Sequence, residues 1–207
     1  MSQYFAVHTQ NPQPRLIKRA AQIIREGGVI VYPTDSCYAL GCHLGDKAAM
    51  ERIRAIRGVK ESHHLTLVCR DLSELATYAR VDNRQFRLLK AATPGSYVFI
   101  LEATRELPKR LQHPRRRTIG LRIPDHPVVD ALLAELDAPL LSSTLLLPGE
   151  DQPETEASDI RQRLEHHVDL VLDGGSCGTL PTTVIDLTGA DPVVTRVGRG
   201  PLAPLGL

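Results

Sequence analysis

Gly27-Gly-Val-Ile-Val-Tyr-Pro-Thr-Asp-Ser-Cys-Tyr-Ala-Leu-Gly41 carries the plainest fold signal in the chain. Val29–Tyr32 is a continuous apolar run rich in β-branched residues, the pattern of a strand covered on both faces. Two glycines stop whatever precedes it. Pro33 ends it, because proline cannot donate to a central ladder. Thr34 and Ser36 therefore stand at the end of a buried strand, where open α/β sheets hold their ligands.

Working outward, Asn11-Pro12 predicts the cap and first turn of a helix with Leu16, Ile17, Ala20, Ala21, Ile23 and Ile24 at helical spacing. Asp46–Arg57 predicts a second helix, capped by Asp46 and closed by Gly58. Asp71 and Glu74 form a capping-box pattern, and Asp82 caps a helix carrying Phe86 and Leu89. Helices are also expected over Asp125–Leu136 and around Arg161–Glu165. Strands are expected at Leu65–Cys69, Tyr97–Leu101, Thr118–Ile123, Leu140–Thr144, Val168–Leu172, Thr182–Leu187 and Val193–Arg196. That makes about eight strands and six helices. The late strands follow one another without helices, which implies a single α/β domain with a twisted, mixed parallel and antiparallel sheet. The acidic stretch Leu146–Ala157 reads as a surface loop.

The 207 residues suffice for a substantial core, and 42% hydrophobic with 24% charged residues indicates a globular chain. Trp is absent and aromatics make up 4%, which argues against base-stacking platforms. The net charge is +1, yet Lys109, Arg110, Arg115, Arg116 and Arg117 fall within nine positions. This cluster is either a polyanion surface or a solvated basic turn. Cys37, Cys42, Cys69 and Cys177 match no zinc spacing and read as reduced small hydrophobes. The N-terminus lacks a leader pattern and no long apolar run occurs, so a soluble, cytoplasmic protein without membrane contact is expected.

Several chemistries are set aside. There is no phosphate-binding glycine loop ending in Gly-Lys-Ser/Thr and no metalloprotease HExxH. Gly174-Gly-Ser-Cys-Gly178 satisfies G-x-S-x-G, but Pro181 and a strand follow where a nucleophile elbow needs a helix, so it reads as a glycine turn. His63-His64 and His166-His167 are adjacent pairs whose side chains diverge, so no metal site is assigned to them. What remains is a set of hydroxyls at strand ends (Thr34, Ser36, Ser142, Ser143, Thr144, Thr182, Thr183) with Arg57, Arg122 and Arg196 near other strand ends. Singly, these could cap helices or face solvent. Jointly they suit carboxylate and phosphate oxygens.

The chain resembles the YrdC/YciO family of threonylcarbamoyl-adenylate synthase-like proteins. The resemblance is carried by Gly27–Gly41, Thr93-Pro-Gly-Ser-Tyr-Val-Phe-Ile-Leu101, Ile119-Gly-Leu-Arg-Ile-Pro-Asp-His-Pro127, Pro139-Leu-Leu-Ser-Ser-Thr144 and Pro181-Thr-Thr-Val-Ile-Asp186, in family order and spanning residues 12–200. It implies a YrdC-like domain, a twisted sheet around a large basic concavity. It also implies a nucleotidyltransferase reaction in which L-threonine, bicarbonate and ATP with Mg²⁺ give threonylcarbamoyl-AMP and pyrophosphate for tRNA modification, without a tightly bound cofactor. Family members are also linked to double-stranded RNA and tRNA. By this resemblance Arg122 forks the threonine carboxylate, Thr34 and Thr182 hydrogen-bond the amino acid, and Ser142 lies close to it. Thr144 and Arg196 hold ATP, and Arg57 takes the place of a phosphate-binding lysine as the expected catalytic cation. Lys109, Arg110, Arg115, Arg116 and Arg117 are the candidate RNA contacts.

Three departures accompany these matches. The synthases' Lys-x-Arg reads Arg57-Gly58-Val59, their Ser-x-Asn reads Thr144-Leu145-Leu146, and the threonine of their Pro-Gly-x-x-Thr turn is Val98. Loss of a cation and of an amide from a polyphosphate site costs on the order of 2–3 kcal/mol each. Together that is roughly three orders of magnitude in rate. These replacements are those of the YciO branch. The expectation is therefore a synthase-like protein of weak or altered activity. The alternative is a non-catalytic RNA- or nucleotide-binding protein on the same fold. A third option is the same fold acting on another acid or nucleotide, with Val59, Val98 and Leu146 shaping a more apolar pocket.

Overall fold

A computed structural model describes residues 1–60, 65–113 and 115–207. The pair His63-His64 lies outside the described residues. The opening segment forms strand β2 (Ile30–Tyr32), buried throughout. Ile30 and Tyr32 join one apolar cluster while Val29 and Val31 join the other, as a two-residue period requires of a strand covered on both sides. The chain then reverses and returns antiparallel as β3 (Ala39–His43), with Val31 opposite Leu40. Sequence reading had assigned no strand here.

Around this hairpin the described residues form one ten-stranded mixed sheet. In chain order the remaining strands are β1 (Gln3–Ala6), β4 (Thr66–Val68), β5 (Tyr97–Glu102), β6 (Thr118–Arg122), β7 (Leu140–Thr144), β8 (Leu170–Asp173), β9 (Thr183–Asp186) and β10 (Val193–Arg196). Their spatial order is β1-β8-β2-β3-β7-β4-β6-β5-β9-β10. The eight expected strands are present, and β1 and β3 are additional. β1 pairs in parallel with β8, so the sheet begins at Gln3.

Among the described residues six helices flank the sheet, as expected: α1 (Pro14–Arg25), α2 (Lys47–Arg57), α3 (Leu72–Tyr78), α4 (Asn83–Ala92), α5 (Pro127–Leu136) and α6 (Ala157–Leu164). α1 starts later than Asn11-Pro12 suggests. Pro14 takes the first helical turn, and Gln13 precedes it without a side-chain cap. The Asp46 carboxylate accepts from Ala49 N, and Gly58 closes α2 at φ 62°. The Asp82–Gln85 capping box is complete. At α3 only half of the expected box forms, because the Glu74 carboxylate accepts from Arg70 N rather than from Asp71 N. Helix α5 is capped by His126, while Asp125 N is drawn to Asp35 Oδ2.

α1 and α5 pack on one face over β8, β2, β3 and the near end of β7, through Ile17, Ala21, Ile24, Val129, Leu132 and Leu133. The opposite face carries the larger cluster, including Ile53 of α2, Leu75 of α3, Leu89 of α4 and Ile160 of α6. No helix among the described residues is long and apolar enough to cross a membrane. Cys37, Cys42 and Cys69 are buried, and Cys177 is half-buried. Burial pushes the Cys177 thiol up to about 11 and that of Cys42 up to about 12. At pH 8 the native protein is expected to react with an aromatic disulfide reagent only slowly, and all four thiols to react once guanidinium unfolds it. Rapid stoichiometric labelling of one native thiol would contradict this burial.

Candidate active site

The layer of α1 and α5 stops partway across the sheet. Beyond it the same face is bare and forms the floor of a cleft of about 340 Å³. Strand alternation selects the floor. Thr66 and Val68, Val98 and Ile100, Thr118, Gly120 and Arg122, Ser142 and Thr144, and Thr182 and Val184 all line it. The intervening Leu67, Phe99 and Leu121 face the larger core, as do Leu141 and Ile185 on β7 and β9, while Ile119 and Ser143 also reach the cleft. Register brings the floor together: Thr66 lies opposite both Gly120 and Ser142, Gly120 opposite Ile100, and Val98 beside Val184. The ligand space is thus an uncovered sheet face rather than a crevice at strand ends. Gly120 keeps it open, since a Cβ there would lie 3.1 Å from Val98 Cγ1.

Arg122 ends β6 at the border between the covered and bare halves. Its side chain is 7% exposed, yet it lines the cleft. Its Nη2 donates to Asp35 Oδ1, to Ser36 Oγ at 3.0 Å and to Thr34 Oγ1 at 3.4 Å. Its Nε is buried and has no partner. A buried guanidinium edge without an acceptor is costly unless a ligand satisfies it. Thr34 does not line the cleft. Its hydroxyl donates to Cys37 O at 2.6 Å and accepts from Ser36 N at 3.1 Å, so it shapes the turn behind Arg122. Ser142 lines the cleft, but its hydroxyl is engaged by Leu40 O and Tyr32 OH.

Arg196 of β10 holds Thr182 twice, through Nε to the carbonyl at 3.0 Å and Nη2 to Oγ1 at 2.9 Å. Arg57, at the end of α2, donates through Nε to Ser143 Oγ at 3.1 Å and through Nη1 to Leu146 O. Burial first, and then the charge of Arg196, lower the pKa of Arg57, so the two cations share one electrostatic field. Arg57, Arg116, Arg122 and Arg196 line the cleft, while Asp151 is the one carboxylate among the described lining residues. The cleft is therefore built for anions. Val98 and Leu146 line it as expected of an apolar wall, whereas Val59 does not.

Gly198 sits against the backbone of Pro181 and Thr182, where an added Cβ would lie 2.6 Å from the Thr182 carbonyl. Gly198→Ala is expected to displace Thr182 with Arg196, lowering stability by about 1–3 kcal/mol in urea unfolding. Unchanged stability would contradict this packing.

The basic cluster does not form one face. Lys109 and Arg117 border a second groove of about 870 Å³ together with Arg80, Arg105 and Glu102, and Arg116 stands between that groove and the cleft. Arg110 turns away to Gly45 O, and Arg115 is exposed. Sequence reasoning missed Asp35, Ser96, Gly120 and the groove contributions of Arg80 and Arg105. Asp35 was legible only as one residue of a turn.

The model of the family Sua5_yciO_yrdC, described as "Telomere recombination", matches residues 22–198. The chain is 55% identical over 204 residues to the Escherichia coli protein YciO, covering 99% of each, and the crystal structure of that protein superimposes with a TM-score of 0.95. It is 33% identical over 178 residues to a threonylcarbamoyl-AMP synthase of Chromobacterium violaceum, covering 85% of this chain and 91% of that protein. The P. abyssi Sua5 structure complexed with L-threonine superimposes with a TM-score of 0.88 at 26% identity, covering 97% of this chain and 58% of that one.

Proposed function

This chain belongs to the Sua5/YciO/YrdC family, and from that premise we propose that it is a threonylcarbamoyl-AMP synthase-like protein of weak or altered activity. The reaction proposed joins L-threonine, bicarbonate and ATP and releases pyrophosphate, water and threonylcarbamoyl-AMP. The observation that carries this reading is the cleft's set of four arginines, Arg57, Arg116, Arg122 and Arg196, around a floor of strand hydroxyls. The Arg122 guanidinium, which lines the cleft, is the group proposed to receive the α-carboxylate through charge-assisted hydrogen bonds. Thr182, oriented by Arg196, then contacts the amino acid, while Thr144, Arg196 and Arg57 face the triphosphate, whose Mg²⁺ arrives with it. The threonine amine attacks the bicarbonate carbon, a C–O bond of bicarbonate breaks, and its oxygen leaves as water with an amine proton, giving a carbamate. A carbamate oxygen attacks the α-phosphorus, and the bond to pyrophosphate breaks. Such a step needs alignment and charge neutralisation rather than a protein nucleophile.

Binding tests the premise. Calorimetric titration is expected to detect L-threonine and to give at least about tenfold weaker binding for L-threonine amide, which lacks the anionic carboxylate. Equal affinities, or no binding of threonine, would remove the basis for the reading.

A second reading, RNA binding, is supported by the groove of Arg80, Arg105, Lys109, Arg116 and Arg117 beside the cleft. Duplex RNA bound there would dissociate steeply with salt. Substituting Lys109, Arg116 and Arg117 together with Ala is expected to reduce both the affinity and the salt slope. Binding indifferent to these changes would reject this surface.

A further inference from the structure

We infer that Asp35 is the positioning residue of the amino-acid subsite: it sets the Arg122 guanidinium in the orientation that meets the ligand carboxylate. The inference rests on the reading of the cleft given above. Asp35 is not among the residues lining the cleft, so it acts through Arg122 rather than by touching the ligand. The two side chains are 11% and 7% exposed and form a buried ion pair. The carboxylate is fixed from two further elements. Its Oδ2 accepts from Ser96 Oγ at 2.9 Å, at the entry to β5, and from Asp125 N at 3.2 Å, at the exit of β6. Ser96 in turn accepts Thr183 N through its carbonyl at 3.1 Å, next to the cleft residue Thr182. One carboxylate thus ties the turn after β2, the start of β5, the end of β6 and, through Ser96, the start of β9.

Two effects oppose each other when Asp35 loses its charge. A ligand carboxylate is freed from the repulsion of a nearby anion, which would tighten binding. Arg122 loses the acceptor that sets its side chain, which would loosen it. Arg122 stands between Asp35 and the ligand and screens the repulsion, whereas a fork that bonds a carboxylate loses most of its value when misplaced by an ångström. Orientation therefore wins, and affinity falls.

The experiment titrates L-threonine, L-threonine amide and ATP into the full chain and its variants Asp35→Asn and Ser96→Ala. Asp35→Asn is expected to weaken threonine about 30-fold while leaving the amide and ATP within roughly threefold. Ser96→Ala keeps the charge but frees one side of the carboxylate, and should weaken threonine by about fivefold with the same selectivity. It decides the matter if Asp35→Asn does not fold. Threonine binding that is unchanged or tightened in both variants, or a loss shared equally by amide and ATP, would overturn the inference while leaving the cleft reading intact. If the unsubstituted protein does not distinguish threonine from its amide, the cleft reading fails and the inference falls with it.

Discussion

Arg122→Met is expected to abolish L-threonine binding, with a loss of about 100-fold or more, and to destabilise the fold at the same time. The two losses have separate causes. Charge-assisted hydrogen bonds contribute roughly 1.5–3 kcal/mol each, so removing the guanidinium proposed to meet the carboxylate removes most of the affinity of a small amino acid. The stability loss comes from Asp35, which is left as a buried carboxylate without its cation. Breaking such a pair by deleting one partner costs about 3–5 kcal/mol. Adding Asp35→Asn to Arg122→Met should therefore recover much of the stability in urea unfolding and none of the threonine binding. If the double variant regains binding, Arg122 does not hold the carboxylate. Arg122→Lys is not a rescue, because an ammonium cannot present a planar fork.

Arg57→Ala carries the second large effect, and it should fall on the nucleotide. Arg57 is anchored by Ser143 Oγ and Leu146 O and shares the field of Arg196. Removing a cation that faces developing charge costs about 10²-fold or more in turnover. Threonine binding should stay within roughly threefold, because the Arg122 network does not include Arg57. The reciprocal test is Leu146→Asn. Leu146 lines the cleft, and an amide there supplies a polar group toward the phosphates. A gain of about tenfold in pyrophosphate release is expected, the value of one restored hydrogen bond. Loss of threonine binding on removing Arg57, or a rate unmoved by either change, would place the nucleotide elsewhere.

What could be read from the sequence depended on how local its cause was. The second strand and the Asp46, Gly58 and Asp82 caps rest on neighbours within a few positions and stood out. β3 did not, because Ala-Leu-Gly-Cys-His lacks β-branched residues and is a strand through its place between β2 and β7. β1 did not either, since its parallel partner β8 lies more than 160 residues away. The same division holds in the site. Arg122, Ser142, Thr144, Thr182, Arg57 and Arg196 all reach the cleft. Thr34, expected at the ligand, is not among the residues lining the cleft, and its hydroxyl bonds Cys37 O and Ser36 N in the turn behind Arg122. Asp35 acquires meaning only when the fold brings it to Arg122, 87 positions away. The basic run looked continuous in sequence, but the turn before β6 and the 3₁₀ turn Lys109–Leu111 aim its members in different directions.

In the proposed reaction this cleft joins an amino acid to the α-phosphate of ATP. Pyrophosphate release at high protein concentration, with L-threonine, bicarbonate, Mg²⁺ and ATP supplied together and then omitted one at a time, tests it most directly. The expected result is slow release that requires threonine and bicarbonate and disappears in Arg122→Met. Release independent of threonine, or none above the protein-free control, would contradict the account.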